Sequence, residues 1–123
     1  MNELDSTFLA VQRVMDFTQA SSRAIAQNLA NLNTPNYQRR VVSFDSLVEA
    51  ARTRDRGQRL AKLETLQPQI SVDDWSPPGM HNNNVSAEAE LSLLQRQALI
   101  HEFAAQMASG KLQGLRLAIS GRT

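Results

Sequence analysis

The sequence predicts an all-α chain in which long N- and C-terminal helices pair as a coiled-coil-like hairpin around an irregular, partly disordered middle. Three observations predict it. Heptad apolar seams occupy both ends of the chain. Pro35, Gly57, Pro68, Pro77, Pro78 and Gly79 interrupt the middle. Aromatic residues are only 5% of a chain that is 41% hydrophobic, so Leu, Ala, Val and Ile must build the core. The 123 residues suit one domain at most. That domain is expected to combine residues 1–34 and 85–123, with 35–84 as a linker holding a possible short helix near 44–56.

In the N-terminal segment, Leu4, Phe8, Val11, Met15, Thr18, Ser22, Ile25, Leu29 and Leu32 follow one another at alternating spacings of 4 and 3. That strict seam predicts a helix roughly 45 Å long. The stretch NLANLNTPNYQRR, residues 28–40, then ends it. Asn33 or Asn36 suits the left-handed turn of a helix stop, and Pro35 discourages continuation. Asn28 and Asn31 lie three apart on one face, where their amides are expected to bond to neighbouring helices.

Next, SFDSLVEAARTRDR predicts a short helix capped by Ser43, with Phe44, Leu47, Val48 and Ala51 on one side. Residues 57–84 read as loop, with one brief strand at Gln69–Val72. A loop this long is uncommon in a compact domain, so order there would depend on a partner.

The C-terminal seam runs through Ala87, Leu91, Leu94, Ala98, His101, Ala105, Ala108, Leu112, Leu115 and Ile119. Ser86 is the expected cap, Glu88 and Glu90 suit the positive end of the helix, and Lys111, Arg116 and Arg122 suit the other. Leu93, Ile100, Ala104, Met107 and Leu117 form a second apolar file beside the seam. One partner helix cannot cover both files, so packing against other subunits is expected. Gly110 and Gly114 cost a helix about 1 kcal/mol each relative to Ala, and close helix–helix approach would offset that.

Chemistry is hard to place on this chain. With no cysteine there are no disulfides, thiolate metal sites or Cys nucleophile. His81 and His101 are the only histidines; His101 falls on the seam, where it reads as a hydrogen-bonded structural residue. No metal-binding, phosphate-loop or nucleophile-elbow motif occurs. Asp73 and Asp74 are adjacent, so in extended chain they point to opposite sides. No enzyme activity, cofactor, metal or small-molecule substrate is expected.

Net charge is +1. Seven of the thirteen Lys and Arg lie between Arg39 and Lys62, which reads as a solvated basic face or a contact with an acidic subunit. Nucleic-acid binding would need aromatic interleaving, and only Tyr37 and Phe44 are near. Trp75, the sole tryptophan, is expected to dock on the helices or on a neighbour. No stretch approaches the ~18 apolar residues of a membrane span, and no basic-then-apolar leader opens the chain.

These residues carry a family resemblance. NLANLNTPNY resembles the Asn-rich Thr-Pro-x-Tyr signature of bacterial flagellar rod and hook axial proteins, matched at Asn28, Ala30, Asn31, Thr34, Pro35 and Tyr37. Asn36 stands where that signature has Gly. SFDSL and the segment NNNVSAEAELSLLQRQALIHEFAAQMASGKLQGLRLAI, with Asn84 and Val85, are similar to the proximal-rod members. Residues 79–82, GMHN, replace the expected Asp-Gly step. The resemblance implies a structural subunit of the proximal rod of the basal body, in the periplasm, exported through the flagellum's own apparatus without a cleaved signal. The implied partners are copies of itself, other rod proteins, the rod adaptor, the membrane-embedded ring and the export gate. The inter-subunit and signature positions would be Asn28, Ala30, Asn31, Thr34, Pro35, Tyr37, Asn84 and Val85. The helix seam would be Phe8, Val11, Met15, Ile25, Leu29, Leu91, Leu94, Leu112 and Leu115. A cytoplasmic helical adaptor or secretion chaperone is the alternative.

Overall fold

A computed structural model describes residues 3–120, without the side chains of residues 3–5, 111, 115 and 118. The seam side chains of Leu4 and Leu115, that of Lys111, and Arg122 therefore lie outside the described residues. The chain is mostly helical. Its order is α1 (Glu3–Ala30), β1 (Arg40–Val42), α2 (Asp45–Ala51), α3 (Arg56–Thr65), β2 (Ile70–Val72), a single 3₁₀ turn (Met80–Asn82) and α4 (Ala87–Ser120).

Helix α1 stops at Ala30, earlier than the seam suggests. Beyond it the chain tightens into i+3 turns, with Leu32 N–H donating to Leu29 O and Thr34 N–H to Asn31 O. Asn36, not Asn33, takes the left-handed conformation, at φ 62°. At the other end, Ser86 Oγ accepts from Ala89 N–H at 3.4 Å as α4 begins.

The middle is more regular than its composition suggests. Residues 57–65, expected as loop, belong to α3. Asp55 caps it, its carboxylate accepting from Gln58 N–H at 2.9 Å, and Leu60 and Leu63 bury one face. Ten residues with two buried leucines fall below the length at which periodicity speaks. In α2 the buried residues are Leu47 and Ala50, whereas Val48 and Ala51 are exposed. Strands β1 and β2 pair antiparallel, with Arg40 opposite Val72, Val41 opposite Ser71 and Val42 opposite Ile70.

These short elements pack on α1 to make the core. Phe17, Leu47, Ala50 and Leu63 form the buried cluster, with Leu9, Ala10, Val14, Val42, Phe44 and Leu66 packed on it. Phe17 meets Phe44 edge to face, ring centroids 5.6 Å apart. Two polar clasps hold α3 on α1. Arg13 Nε donates to Leu63 O at 2.7 Å, a cation on the negative end of α3, and Arg59 Nε donates to Ser6 Oγ at 2.7 Å.

Helix α4 runs antiparallel to α1, since Asn28 meets Glu90 while Thr18 meets His101. The buried line of α4 passes through Glu90, Gln97 and Ala104, one residue off the expected Leu91, Ala98 and Ala105. Leu94, His101 and Ala108 are half-buried along it, whereas Leu91 and Leu112 are about half exposed. On α1, Val11 and Ile25 are buried, and Phe8, Met15 and Leu29 are half-buried. The displacement on α4 has a physical reason: Glu90 and His101 are drawn inward by hydrogen bonds, and apolar periodicity cannot register them.

The cluster, rather than the helix seam, should therefore dominate the stability of the chain. Leu63→Ala is expected to cost about 3 kcal/mol by cavity formation, and Leu91→Ala less than about 1 kcal/mol. Chemical denaturation of the purified chain measures both.

Candidate functional site: the junction of the asparagine motifs

The segment that ends α1 and the Asn-rich run before α4 fold against each other, joined by side-chain amides. Asn28 is fully buried and makes four bonds. Its Oδ1 accepts from Arg40 N–H at 2.9 Å and from the Tyr37 hydroxyl at 3.0 Å. Its Nδ2 donates to Arg40 O at 2.8 Å and to Glu90 Oε2 at 3.2 Å. The carboxamide thus stands in for a neighbouring strand along Arg40 while tying α1 to α4.

Three consecutive asparagines complete the junction. Asn82 Nδ2 donates to Asn36 Oδ1 at 3.1 Å, and Asn36 N–H donates to His81 O at 2.9 Å. Asn83, 5% exposed, places Nδ2 among the carbonyls of Asn31, Leu32 and Thr34 at 2.8, 3.2 and 2.9 Å, closing the C-terminal end of α1. Asn84 Oδ1 accepts from Arg39 N–H at 2.6 Å while its Nδ2 donates to Asp73 O at 2.9 Å. His81 and Asn82 both hold left-handed backbone, at φ 59° and 55°. They lie within the GMHN departure, and the Asn36 bonds hold them there.

Below the amides lies a buried charge cluster. Arg39 Nη1 donates to Asp73 Oδ2 at 2.9 Å, and its Nε donates to Glu90 Oε1. Both carboxylate side chains are fully buried and Arg39 is one-fifth exposed. Asp73 Oδ1 also accepts from Trp75 N–H at 3.0 Å and Ser76 N–H at 2.9 Å, and Oδ2 from the Ser76 hydroxyl at 2.7 Å. Burial alone would raise the Asp73 carboxyl, but the Ser76, Arg39 and Trp75 donors outweigh it and hold the group below its ordinary value. Burial works against the Arg39 charge too, and the Glu90 and Asp73 bonds overcome it, leaving the guanidinium above its ordinary value.

Of the expected contact positions, Asn28 is enclosed and has no amide group left for a neighbouring helix. Asn31 is half-buried and bonds locally, Nδ2 to Gln27 O at 2.8 Å and Oδ1 from the Thr34 hydroxyl at 3.0 Å. Ala30, Thr34 and Pro35 are exposed, while Tyr37, Asn84 and Val85 are half-buried. Arg39, Asp73, Asn83 and Glu90 were missed as site residues. Arg39, two residues beyond the Tyr37 of the signature, was the only local sign, because their partners are distant in sequence.

Nothing here resembles a reaction centre. Among the described residues no group of His, Asp and Glu could hold a metal ion, and no helix is long and apolar enough to cross a membrane. His101 Nδ1 lies 2.9 Å from Thr18 Oγ1, whose proton goes to Met15 O at 3.0 Å. The imidazole thus forms a structural link between α4 and α1.

No protein-family model matches the chain. It is similar to the flagellar basal body rod protein FlgB of Aquifex aeolicus, 29% identical over 90% of this chain and 90% of that relative. FlgB of Borreliella burgdorferi is 26% identical over 82% of this chain and 87% of its own length. FlgB of Bacillus subtilis is 23% identical over 98% of both. These relatives bear out the resemblance to flagellar basal body rod proteins.

Two measurements test the junction. Asn28→Ala strands the Arg40 peptide group and is expected to cost about 3 kcal/mol, whereas Asn31→Ala should cost less than about 1 kcal/mol. Asp73→Asn should cost about 3 kcal/mol near neutral pH by breaking a buried pair. Because the folded Asp73 carboxyl titrates below its unfolded value, its stabilisation is complete above about pH 4. It is lost as pH falls through the folded value. The stability difference between wild type and Asp73→Asn, followed by thermal unfolding, should therefore shrink only below about pH 4.

Proposed function

We propose that this chain is a structural subunit of the proximal rod of the bacterial flagellar basal body, part of the shaft that transmits torque. The observation that carries the reading is the similarity to flagellar basal body rod proteins along nearly the whole chain. Nothing specific favours the adaptor or chaperone reading, and catalysis has no candidate residues among those described.

The surface supports assembly. Helix α4 turns Leu99, Phe103, Met107 and Leu117 outward, between 41% and 68% exposed. Val11, Val14, Ile100 and Ala104 deepen this face into a wholly apolar groove of about 400 Å³ between α1 and α4. A patch of this kind marks an interaction surface in a soluble chain. Gly110 and Gly114 have open space where a Cβ would stand, so they meet no constraint inside the subunit. In the rod, α1 and α4 would act as a coiled-coil-like hairpin whose outer files are covered by adjoining subunits. The same proposal takes in self-association, the rod adaptor, the membrane-embedded ring and export gate as neighbours, and a periplasmic location. Asn31, Thr34 and Pro35 belong to the proposed inter-subunit surface. The domain proposed to enter the helical wall comprises 1–34 and 85–123, with 35–84 bracing it.

Deletion of the gene, followed by imaging of isolated basal bodies, should remove the rod and abolish motility, both restored by the wild-type gene. Intact rods in the deletant would sink the proposal. Phe103→Glu should change subunit stability by less than about 0.5 kcal/mol, because the ring is largely exposed. The variant gene should nonetheless fail to restore rods.

A further inference from the structure

The two-stranded sheet leaves an open edge position beside α1. Asp73 N–H donates to Arg39 O at 2.8 Å, which sets the phase of the antiparallel ladder. Residues 39 and 41 turn their peptide groups toward β2, and residues 40 and 42 turn theirs away. Asn28 covers the outward N–H and C=O of Arg40. Those of Val42 point out along the same edge, into a cavity of about 460 Å³ between α1, β1 and α4. Ala24, Ile25 and Leu93 provide apolar wall, and Trp75, 65% exposed, stands at its open side.

Gln97 lines the same cavity from α4. It is only 6% exposed, and its Oε1 is the one buried side-chain polar atom among the described residues with no hydrogen-bond partner. An orphaned acceptor beside an open strand edge calls for N–H donors, and the aliphatic wall calls for a branched side chain. An extended peptide segment offers both.

This chain itself carries such a segment. By the same alternation, Ser71 faces β1, whereas the N–H and C=O groups of Ile70 and Val72 face outward from β2. Their side chains are about half exposed. We propose that the cavity receives the β2 edge of a second copy of this chain. The incoming strand hydrogen-bonds along Val42, gives an N–H to Gln97 Oε1, and sets an aliphatic side chain against Ala24, Ile25 and Leu93. The two edges lie on opposite sides of the sheet, so the contact is head-to-tail and propagates from copy to copy instead of closing as a two-fold dimer. The inference rests on the rod reading, which supplies the adjoining copies.

The sole tryptophan makes the test direct. A synthetic peptide of residues 67–74 contains none, so Trp75 emission of the purified full chain reports its binding. The expected result is a saturable blue shift. Gln97→Leu should weaken binding about tenfold while far-UV circular dichroism is unchanged. A peptide N-methylated at Ile70 and Val72 lacks the donors and should not bind, which keeps the test decisive if the variant fails to fold. Absence of saturable binding overturns the proposal, as does equal binding of the methylated peptide or equal affinity in folded Gln97→Leu. So does blue-shifted emission before peptide is added at a dilution where sedimentation shows the chain to be monomeric, since its own indole would then occupy the cavity. Failed peptide binding alongside a rodless deletant refutes this contact alone and leaves the rod assignment intact.

Discussion

Two buried carboxylates share a single guanidinium at the end of the molecule where α1, β1, the Asp73 loop and α4 converge. Glu90 and Asp73 would each be costly to bury alone, and Arg39 alone would be nearly as costly. The three are tolerable only together, and only when Asn28, Ser76 and the Trp75 peptide supply the remaining bonds. Each partner comes from a different part of the chain. Forming one link therefore requires the others, which makes this end of the subunit cooperative although the core cluster is small. The neighbouring asparagines extend the same logic to the backbone: Asn83 closes the end of α1, and Asn84 bridges Arg39 to Asp73.

This arrangement inverts the usual disposition of a helix. Along α4 the inward line carries Glu90, Gln97 and His101, while Leu99, Phe103 and Leu117 face out. The α1–α4 contact is thus specified by hydrogen bonds and only modestly stabilised by apolar burial. Most of the apolar surface of α4 stays open to other molecules. For the proposed rod subunit, the combination is apt. The polar line sets the register of the pair, and in the proposed rod burial of the outer files would come with packing, so that folding and association would reinforce each other. In the same line Gln97 Oε1 has no partner among the described residues.

The legible and illegible parts of the structure divide by the range of the interaction. Heptad spacing announced both long helices, because helical periodicity is a property of residues three and four apart. Asn36 and Pro35 marked the stop, and Ser86 with Glu88 and Glu90 marked the next start, because turn and capping preferences are also local. Helix α3 escaped notice because its cap and its two buried leucines are too short a pattern to stand out from the surrounding Gly and Pro. The role of Phe17 escaped because it lies off the heptad seam, on the face of α1 that meets Leu47 and Leu63.

The sequence by itself determined a mostly helical chain with long terminal helices, a helix stop at the Asn-Pro segment, an excess of apolar surface on the C-terminal helix, and the family resemblance. Only the tertiary structure decided that Asn28 bonds within its own chain, that Glu90 and Gln97 lie inside while Leu91 lies half out, and that the middle segment shares the core with α1. The physical reason is that a polar residue is buried or exposed according to whether a partner is waiting. For Asn28 and Glu90 that partner is 62 residues away.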